Sequence, residues 1–212
     1  MTPLVCYACP AMSEESRSLQ IVWNSGSADR ILSLARAGPG GPIRVIRVTG
    51  PVGAGKSTIA AALSSVAIRT DDYLPDYDRV PVEERELPES SDLGRLVADL
   101  DELRAGLSVS VPVWSFRTHR REGERLVQPS SVVVVEGIHA FEVADGEIPD
   151  IRVYVDAPVR TRWARWERIE EAGERGWGVE RAREYFNTVA EPAFSARAAQ
   201  MRAMADVIVE NG

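Results

Sequence analysis

A glycine-rich stretch beside a single lysine has the residue types and the spacing needed to bind phosphate groups. Residues 50–57 read Gly-Pro-Val-Gly-Ala-Gly-Lys-Ser, which matches the P-loop pattern completely. Glycines at unusual backbone angles let N–H groups approach phosphate oxygens without a Cβ clash. Lys56 is the only lysine in the chain, which indicates that a compact ammonium group is needed there. The predicted ATP-binding residues are Gly50, Pro51, Val52, Gly53, Ala54, Gly55, Lys56, Ser57 and Thr58.

Carboxylates follow two predicted strands, where they could serve the same phosphates. Asp71 and Asp72 come directly after a short strand predicted at residues 67–70, and Glu136 ends a run of valines. Ligands of open α/β sheets bind at the carboxyl ends of strands, so we expect these side chains near the P-loop. A carboxylate there can accept the proton of an attacking hydroxyl or hold Mg²⁺. The predicted metal ligands are Ser57, Asp71 and Glu136. Asp72 remains an alternative to Asp71 as the base. A pair of aspartates is also favoured in turns, which is the alternative interpretation without a catalytic role.

The elements that must position these groups alternate between strands and helices. Strands are predicted at residues 45–48, 67–70, 131–136, 151–156 and 205–209, and helices at residues 28–36, 56–63 and 93–103. Ser27 and either Ser90 or Ser91 are the expected N-caps of the first and last helix. Residues 108–116 and 124–127 alternate like a hairpin, and Pro112 keeps the first of them at an edge. This order predicts an α/β fold, the P-loop NTPase three-layer α/β/α sandwich, with a mainly parallel central sheet, a small β-hairpin excursion and a helical lid.

Arginine and glutamate alternate in the segment that follows residue 156. Gly173 and Gly176 interrupt this segment; Arg165 and Arg168 precede the break, and Arg175 lies between the two glycines. Mixed charge runs are usually exposed helix faces joined by weak ion pairs. The other interpretation is a lid over about residues 165–178 whose guanidinium groups close over a γ-phosphate and exclude water. The charge pattern alone leaves both open.

Length and composition limit the classes of protein to consider. At 212 residues and 44% hydrophobic, the chain can bury one full core. Its net charge of −7 would repel nucleic acid and anionic membrane surfaces, so we expect neither as a partner. No apolar run approaches the roughly 18 residues that span a bilayer, and no signal-peptide pattern begins the chain. A cytoplasmic location is the expectation, and the sequence leaves a monomer and a homo-oligomer both open.

From residue 43 onward, the chain resembles the uridine kinase and phosphoribulokinase-like group of P-loop kinases. The segments that carry the resemblance are VPVWSFRTHRR at 111–121, VEGIHAF at 135–141, YVD at 154–156, EPAF at 191–194 and ADVIV at 205–209. The resemblance implies that Asp71 is the catalytic, metal-associated aspartate and that His119 and Trp114 face a nucleoside. It also implies that the three arginines named above supply lid contacts to phosphate or substrate.

The chain departs from this family on the acceptor side. Glu86 stands where the family has a sugar-binding aspartate, Glu184 where it has a glutamine, and Trp114 where it has a tyrosine. A site built to hydrogen-bond one particular group discriminates strongly, so these changes bear on the identity of the acceptor. The predicted substrate-binding residues are Asp71, Tyr73, Glu86, Trp114, His119 and Glu184.

Residues 43–212 are therefore predicted to form a P-loop kinase domain, and residues 1–42 an N-terminal extension with one short helix and a Pro/Gly linker. Residues 1–26 show no usable periodicity. The C-x-x-C formed by Cys6 and Cys9 lacks the second ligand pair that a zinc site needs, so ordinary thiols are expected.

The expected function is Mg²⁺-dependent transfer of the ATP γ-phosphate to a small-molecule hydroxyl, the 5′-hydroxyl of uridine or cytidine. The predicted catalytic residues are Asp71, Lys56, Arg165, Arg168 and Arg175. A modified nucleoside or a non-nucleoside alcohol such as a sugar, glycerate or pantothenate remains an alternative acceptor, and GTP an alternative donor. A nucleotide-binding regulator that transfers no phosphate is the alternative of a different class.

Overall fold

The computed structural model describes residues 18–38, 41–143 and 151–212. Cys6, Cys9 and the Pro39–Gly40 part of the predicted linker lie outside the described residues. Within those ranges the strands are β1 (Leu19–Val22), β2 (Arg44–Thr49), β3 (Ala67–Arg69), β4 (Val109–Ser115), β5 (Arg120–Val127), β6 (Val132–Glu136), β7 (Ile151–Asp156) and β8 (Val207–Glu210). The α-helices are α1 (Ser27–Ala37), α2 (Lys56–Leu63), α3 (Leu93–Arg104), α4 (Val159–Glu171), α5 (Val179–Tyr185) and α6 (Glu191–Met204).

The central sheet has six strands in the order β1-β8-β7-β2-β6-β3, and each neighbouring pair is parallel. The valines of β6 explain why this sheet is covered on both sides. Val133 and Val135 pack into a core with α3 and α6, whereas Val132 and Val134 pack into a second core with α1 and α2. A strand buried on both faces reads as a continuous apolar run. The predicted α/β sandwich with a mainly parallel sheet is confirmed.

The predicted hairpin stands apart from this sheet. β4 and β5 pair antiparallel, Pro112 lies opposite Glu124, and the register shifts between Val113 and Trp114. The hairpin packs against the short 3₁₀ turn Thr70–Tyr73, which follows β3 and carries both aspartates. The excursion therefore reaches the carboxyl ends of the central strands, where the candidate site lies.

The last helical region changes geometry near the site. α5 runs into a π-helical turn over Phe186–Ala190 and continues as α6. π-Turns inside α-helices occur frequently at functional sites, and this one begins directly after Tyr185. The connection between α4 and α5 covers residues 172–178, so the predicted lid comprises the last turns of α4 together with this connection.

Several local predictions were wrong. No strand was predicted in residues 1–26, yet β1 pairs with β8 and extends the sheet, because one buried residue, Ile21, is enough for a short edge strand. Ser27 lies inside α1 and not at its cap, where Gly26 is found. Asp92, not Ser90 or Ser91, caps α3 by accepting from the Arg95 N–H. Within the described ranges, no helix combines the length and apolar character needed to cross a membrane.

Candidate active site

The glycines of residues 50–55 allow a backbone path that other residues would block. Gly53 has a φ of +76°, and a Cβ placed on it would lie 2.5 Å from the carbonyl oxygen of Arg162. Gly55 has a φ of +95° and precedes α2 as its N-cap. A side chain at either position would be strained; at Gly53 it would displace the backbone of Arg162, and at Gly55 the side chain of Asn211. The loop consequently turns tightly between β2 and the N-terminus of α2.

Three cationic side chains hold the carbonyl groups of this loop. Lys56 Nζ donates to the Pro51 oxygen at 3.0 Å, and Arg162 Nη1 donates to the Val52 oxygen at 3.3 Å. Arg165 Nη1 donates to the oxygens of Gly53 and Ala54, at 3.2 Å each. Because each peptide N–H points opposite to its C=O, this arrangement turns the N–H groups of Gly53 and Gly55 inward. Inward N–H groups at a helix N-terminus form an anion-binding site.

A cavity of about 480 Å³ opens beside the loop. The predicted site residues that line it are Val52, Gly53, Gly55, Lys56, Ser57, Thr58, Asp71, Glu86, His119, Glu136, Arg165 and Arg175. The structure therefore brings together residues from the P-loop, from the ends of two strands, from the hairpin and from the α4–α5 connection. We call residues 50–58 of this lining the P-loop side.

Charged groups on the P-loop side act on one another. Ser57 Oγ donates to Glu136 Oε1 at 2.8 Å. Burial raises the pKa of Glu136 above its ordinary value, and the nearby charge of Asp71 raises it further. Burial lowers the pKa of Lys56, while Glu136 and Asp71 oppose that shift. The lysine and both carboxylates thus lie close enough to share one electrostatic environment.

The donor set fits a magnesium ion that would be held partly by substrate phosphates. Ser57, Glu136 and Asp71 offer only oxygen atoms, which Mg²⁺ prefers, and the repulsion between the two carboxylates is the kind that a divalent cation relieves. Among the described residues, no cluster of three or more His, Cys, Asp or Glu side chains could hold a metal alone. Mg²⁺ commonly uses one or two carboxylates, waters and phosphates and needs no such cluster.

Asp71 and Asp72 have different surroundings. Asp71 lines the cavity, whereas Asp72 is completely buried. Asp72 forms a close ion pair with Arg69, lies 3.6 Å from Arg125 Nη2 and accepts from the Trp114 N–H at 3.3 Å. These contacts tie the end of β3 to the hairpin. Only Asp71 is therefore positioned to meet a substrate in the cavity.

Aromatic rings line the opposite wall of the cavity. His119 stacks on Trp177 with a centroid distance of 4.7 Å and on Tyr77 at 5.4 Å. Tyr185 contacts Trp177 at 4.4 Å. We call Tyr77, Glu86, His119, Trp177 and Tyr185 the aromatic side. Tyr77 and Trp177 are themselves 6.2 Å apart, so the three rings form a compact cluster in which each contacts the other two.

His119 is held neutral by its surroundings. Burial lowers its pKa to about 4, and the positive charges of Arg181, Arg85 and Arg175 contribute to that shift. Its φ of +56° is the only positive value at a non-glycine residue in the part of the chain that the structure describes. Such a conformation is uncommon and is retained where the surroundings enforce it. Here Tyr77 N–H donates to the His119 carbonyl at 3.0 Å.

Glu86 supplies a carboxylate on the aromatic side. Its Oε1 accepts from the Tyr185 hydroxyl at 2.8 Å. Burial raises the pKa of Glu86, whereas the hydrogen bond from Tyr185 lowers it. The backbone oxygen of Glu86 accepts from Arg197 at 3.2 Å, which fixes the main chain at this point. A hydroxyl-bearing ligand would find here a carboxylate whose orientation is set by a tyrosine.

Several predicted site residues do not line the cavity. Tyr73 is fully buried in the core and donates to Asp99 Oδ2 at 2.7 Å, and Trp114 is buried beneath Tyr77. Arg168 and Glu184 are exposed. Gly50, Pro51 and Ala54 shape the P-loop from outside the cavity lining.

The predicted lid arginines also differ from one another. Arg165 lines the cavity, but its Nη1 donates to the P-loop carbonyl oxygens of Gly53 and Ala54. Arg175 lies between two rings, with its guanidinium carbon 4.2 Å from the centroid of Phe116 and 5.0 Å from that of Trp166. Burial lowers the pKa of Arg175, and Asp71 is the first of the acidic groups that counter this shift. Arg175 is thus a predicted lid arginine whose charge acts on Asp71.

Sequence reasoning missed Tyr77, Trp177 and Tyr185. Tyr77 lies in a proline-rich and acidic stretch that reads as a surface loop, and Trp177 lies between the glycines of the α4–α5 connection. An aromatic residue flanked by Gly176 and Gly178 in a charged segment was a usable signal, because solvated loops rarely need large rings. Tyr185 directly follows Glu184, so the prediction erred there by one residue.

The similarity to known proteins agrees with this geometry. A uridine kinase of Brevibacillus brevis is 31% identical over 187 residues, which cover 82% of this chain and 86% of that protein. A uridine kinase of Clostridium tetani is 29% identical over 182 residues, covering 79% and 87%. A solved structure described as a possible uridine kinase from Bacillus stearothermophilus has a TM-score of 0.55 at 20% identity, covering 86% of this chain and 96% of that one, and shares the fold.

The family described as Phosphoribulokinase / Uridine kinase matches residues 83–212, which is more than half of the chain. Together with the P-loop at residues 50–57, this match assigns the chain to a family. It belongs to the phosphoribulokinase and uridine kinase family of P-loop phosphotransferases, as the resemblance in its sequence predicted.

Proposed function

We propose that this protein transfers the γ-phosphate of ATP to the 5′-hydroxyl of uridine or cytidine. The observation that supports this most directly is one cavity that joins a phosphate-binding loop, a carboxylate and an aromatic wall. The P-loop side suits a triphosphate, and the aromatic side suits a ring with hydroxyl groups. Relatives named uridine kinase cover most of the chain.

Asp71 is the proposed base. The acceptor oxygen forms a bond to the γ-phosphorus while the bond from that phosphorus to the β–γ bridging oxygen breaks, and ADP leaves with that electron pair. The hydroxyl proton passes to a carboxylate oxygen of Asp71. Asp71 suits this role because it lies in the cavity lining, whereas the Asp72 carboxylate is buried and forms an ion pair with Arg69.

Lys56 and Arg175 stabilise negative charge on the transferred group. Lys56 is buried and Arg175 is half-buried, and a cation in a partly dehydrated site acts more strongly than in water. Ser57, Glu136 and Asp71 would hold Mg²⁺, which neutralises phosphate charge when bound. We place this reaction in the cytoplasm, as the sequence predicts.

The α4–α5 connection limits access of water. The Gly176 N–H donates to the Phe116 oxygen at 3.4 Å, and Trp177 stacks on His119 of the hairpin. Glu170 accepts from the Trp166 indole and from the Gly178 N–H, at 3.0 Å each, which fixes both ends of the connection. A covered site protects a phosphoryl group from hydrolysis.

A panel of acceptors tests the proposal. The purified protein is incubated with MgATP and each hydroxyl compound, and ADP release is followed. Stimulation by uridine or cytidine is the expected result. Because Glu86 is longer than the aspartate of the family pattern, the panel also includes modified nucleosides, sugars, glycerate and pantothenate. Stimulation by one of these alone would replace the acceptor, and nucleotide binding without any turnover would favour a regulator.

A further inference from the structure

Asn211, which directly follows β8, contacts the outer surface of the P-loop. Its side-chain Nδ2 donates to the Ala54 oxygen at 2.7 Å. Its carbonyl oxygen accepts from Arg165 Nη2 at 3.0 Å, and its own N–H donates to the Asp156 oxygen at 2.8 Å. Asn211 is therefore fixed by contacts with β7, α4 and the loop. Neither the P-loop pattern nor the family resemblance includes this residue.

The fit between this amide and Gly55 is close. A Cβ placed on Gly55 would lie 2.3 Å from Asn211 Nδ2, so the amide occupies the space that a side chain at residue 55 would fill. The positive φ of Gly55 and the missing Cβ together leave room for the donor. Asn211 is thus complementary in shape to Gly55 and hydrogen-bonded to Ala54.

These contacts determine the orientation of the peptide that joins Ala54 to Gly55. Its carbonyl accepts from Asn211, which lies outside the cavity lining, and from Arg165. The N–H of Gly55, on the other end of the same planar peptide, is turned toward the cavity. Loss of the Asn211 donor would leave Arg165 to hold this carbonyl while also bonding to Gly53.

We propose that Asn211 is a positioning residue of the nucleotide site, acting through the Ala54 carbonyl to keep the Gly55 N–H directed at the phosphates. The inference rests on the nucleotide binding in the proposed function. It predicts an effect on nucleotide affinity and not on acceptor recognition, because Asn211 lies outside the cavity lining.

Asn211→Asp is the sharpest test, because aspartate has the same size but cannot donate to the Ala54 oxygen. We expect the Kd for MgADP and the KM for ATP to rise about three- to tenfold, the usual effect of one hydrogen bond, while kcat and the acceptor KM change less than twofold. Asn187→Asp makes the same chemical change at an exposed position and should leave all four quantities unchanged.

Asn211→Ala separates the missing donor from the added charge and should raise the MgADP Kd in the same direction. Unchanged MgADP affinity in both Asn211 variants would overturn this inference while leaving the proposed function standing. A fall in kcat without any change in nucleotide affinity would overturn it as well. No MgADP binding by the unsubstituted protein would overturn the proposed function together with the inference.

Discussion

The P-loop side and the aromatic side of the cavity are built in opposite ways. The P-loop side is one continuous segment whose backbone faces the ligand, and its carbonyls are fixed by Lys56, Arg162 and Arg165. The aromatic side consists of side chains from a loop, the hairpin, the α4–α5 connection and α5, held by ring contacts. Backbone N–H groups bind any triphosphate, whereas each side chain selects for particular acceptors. Substitutions on the two sides should therefore have separable effects.

Asp71 lies where the two sides meet, so its replacement should have the largest effect. Asp71→Asn removes the proton acceptor but keeps the size of the side chain. We expect kcat to fall by about 10² to 10⁴ for every acceptor, the usual contribution of a positioned base, with nucleotide affinity nearly unchanged. Steady-state kinetics together with MgADP titration measures both quantities. Normal turnover in this variant would remove Asp71 from the mechanism.

Asp72 supports both sides without lining the cavity, so its replacement should act on stability. Asp72→Ala removes the ion pair with Arg69 and the acceptor for the Trp114 N–H. We expect the free energy of unfolding to fall by about 2–3 kcal/mol, less than for an uncompensated buried charge. The cost stays at that level because the side chains of Arg69 and Arg125 remain 37% and 40% exposed and can be hydrated.

Urea denaturation measures this change, and Asp72→Asn serves as the matched variant because its amide oxygen can still accept from Trp114. The amide variant should lose less stability than the alanine variant. A loss of kcat comparable to that of Asp71→Asn, with stability unchanged, would contradict the assignment of Asp72 to structure and make it the base.

The same contrast explains which parts were predictable from sequence. The P-loop, its strand and its helix are encoded by neighbouring residues, so spacing alone locates residues 50–58. The valine run of β6 is equally informative because both of its faces are buried. The aromatic side depends on contacts between residues far apart in sequence, such as Tyr77 with His119 and Tyr185 with Glu86. Such pairings carry no local periodicity, and the acceptor residues were predicted only in part.

The short edge strand β1 could not be predicted from the sequence, for a related reason. β1 has a single buried residue, so its pattern cannot be distinguished from a loop. Its place in the sheet comes from backbone pairing with β8 and from the packing of Ile21 and Leu19 against the core. Tertiary pairing, and not local propensity, determines such a strand.

Tyr185 and Glu86 offer a way to perturb the aromatic side alone. Tyr185→Phe removes the hydroxyl that donates to Glu86 and keeps the ring. We expect kcat/KM for the acceptor to fall about three- to tenfold, the usual effect of one hydrogen bond, because the hydroxyl acts only through Glu86, while the KM for ATP stays unchanged. Because this bond lowers the pKa of Glu86, its loss should raise that pKa further and move the acid limb of the acceptor KM profile to higher pH.

Tyr73→Phe is the matched control for that variant, since its hydroxyl bonds to Asp99 outside the cavity. It should lose stability without changing the acceptor KM. An equal rise of the ATP and acceptor KM values in Tyr185→Phe would contradict the separation of the two sides.

The smallest expected effect concerns the neutral state of His119. Its pKa in the folded protein is about 4, below its ordinary value of 6.5, so folding disfavours its protonated form. The stability that this provides is fully present above pH 6.5 and is lost as the pH falls toward 4.

His119→Gln cannot be protonated, so the difference in unfolding free energy between pH 7 and pH 5 should be smaller in this variant than in the unsubstituted protein. Because His119 is only half buried, solvent screening keeps the change below that of Asp72→Ala. Urea denaturation at both pH values measures the difference, and equal pH dependence in the two proteins would mean that the aromatic side does not hold this imidazole neutral.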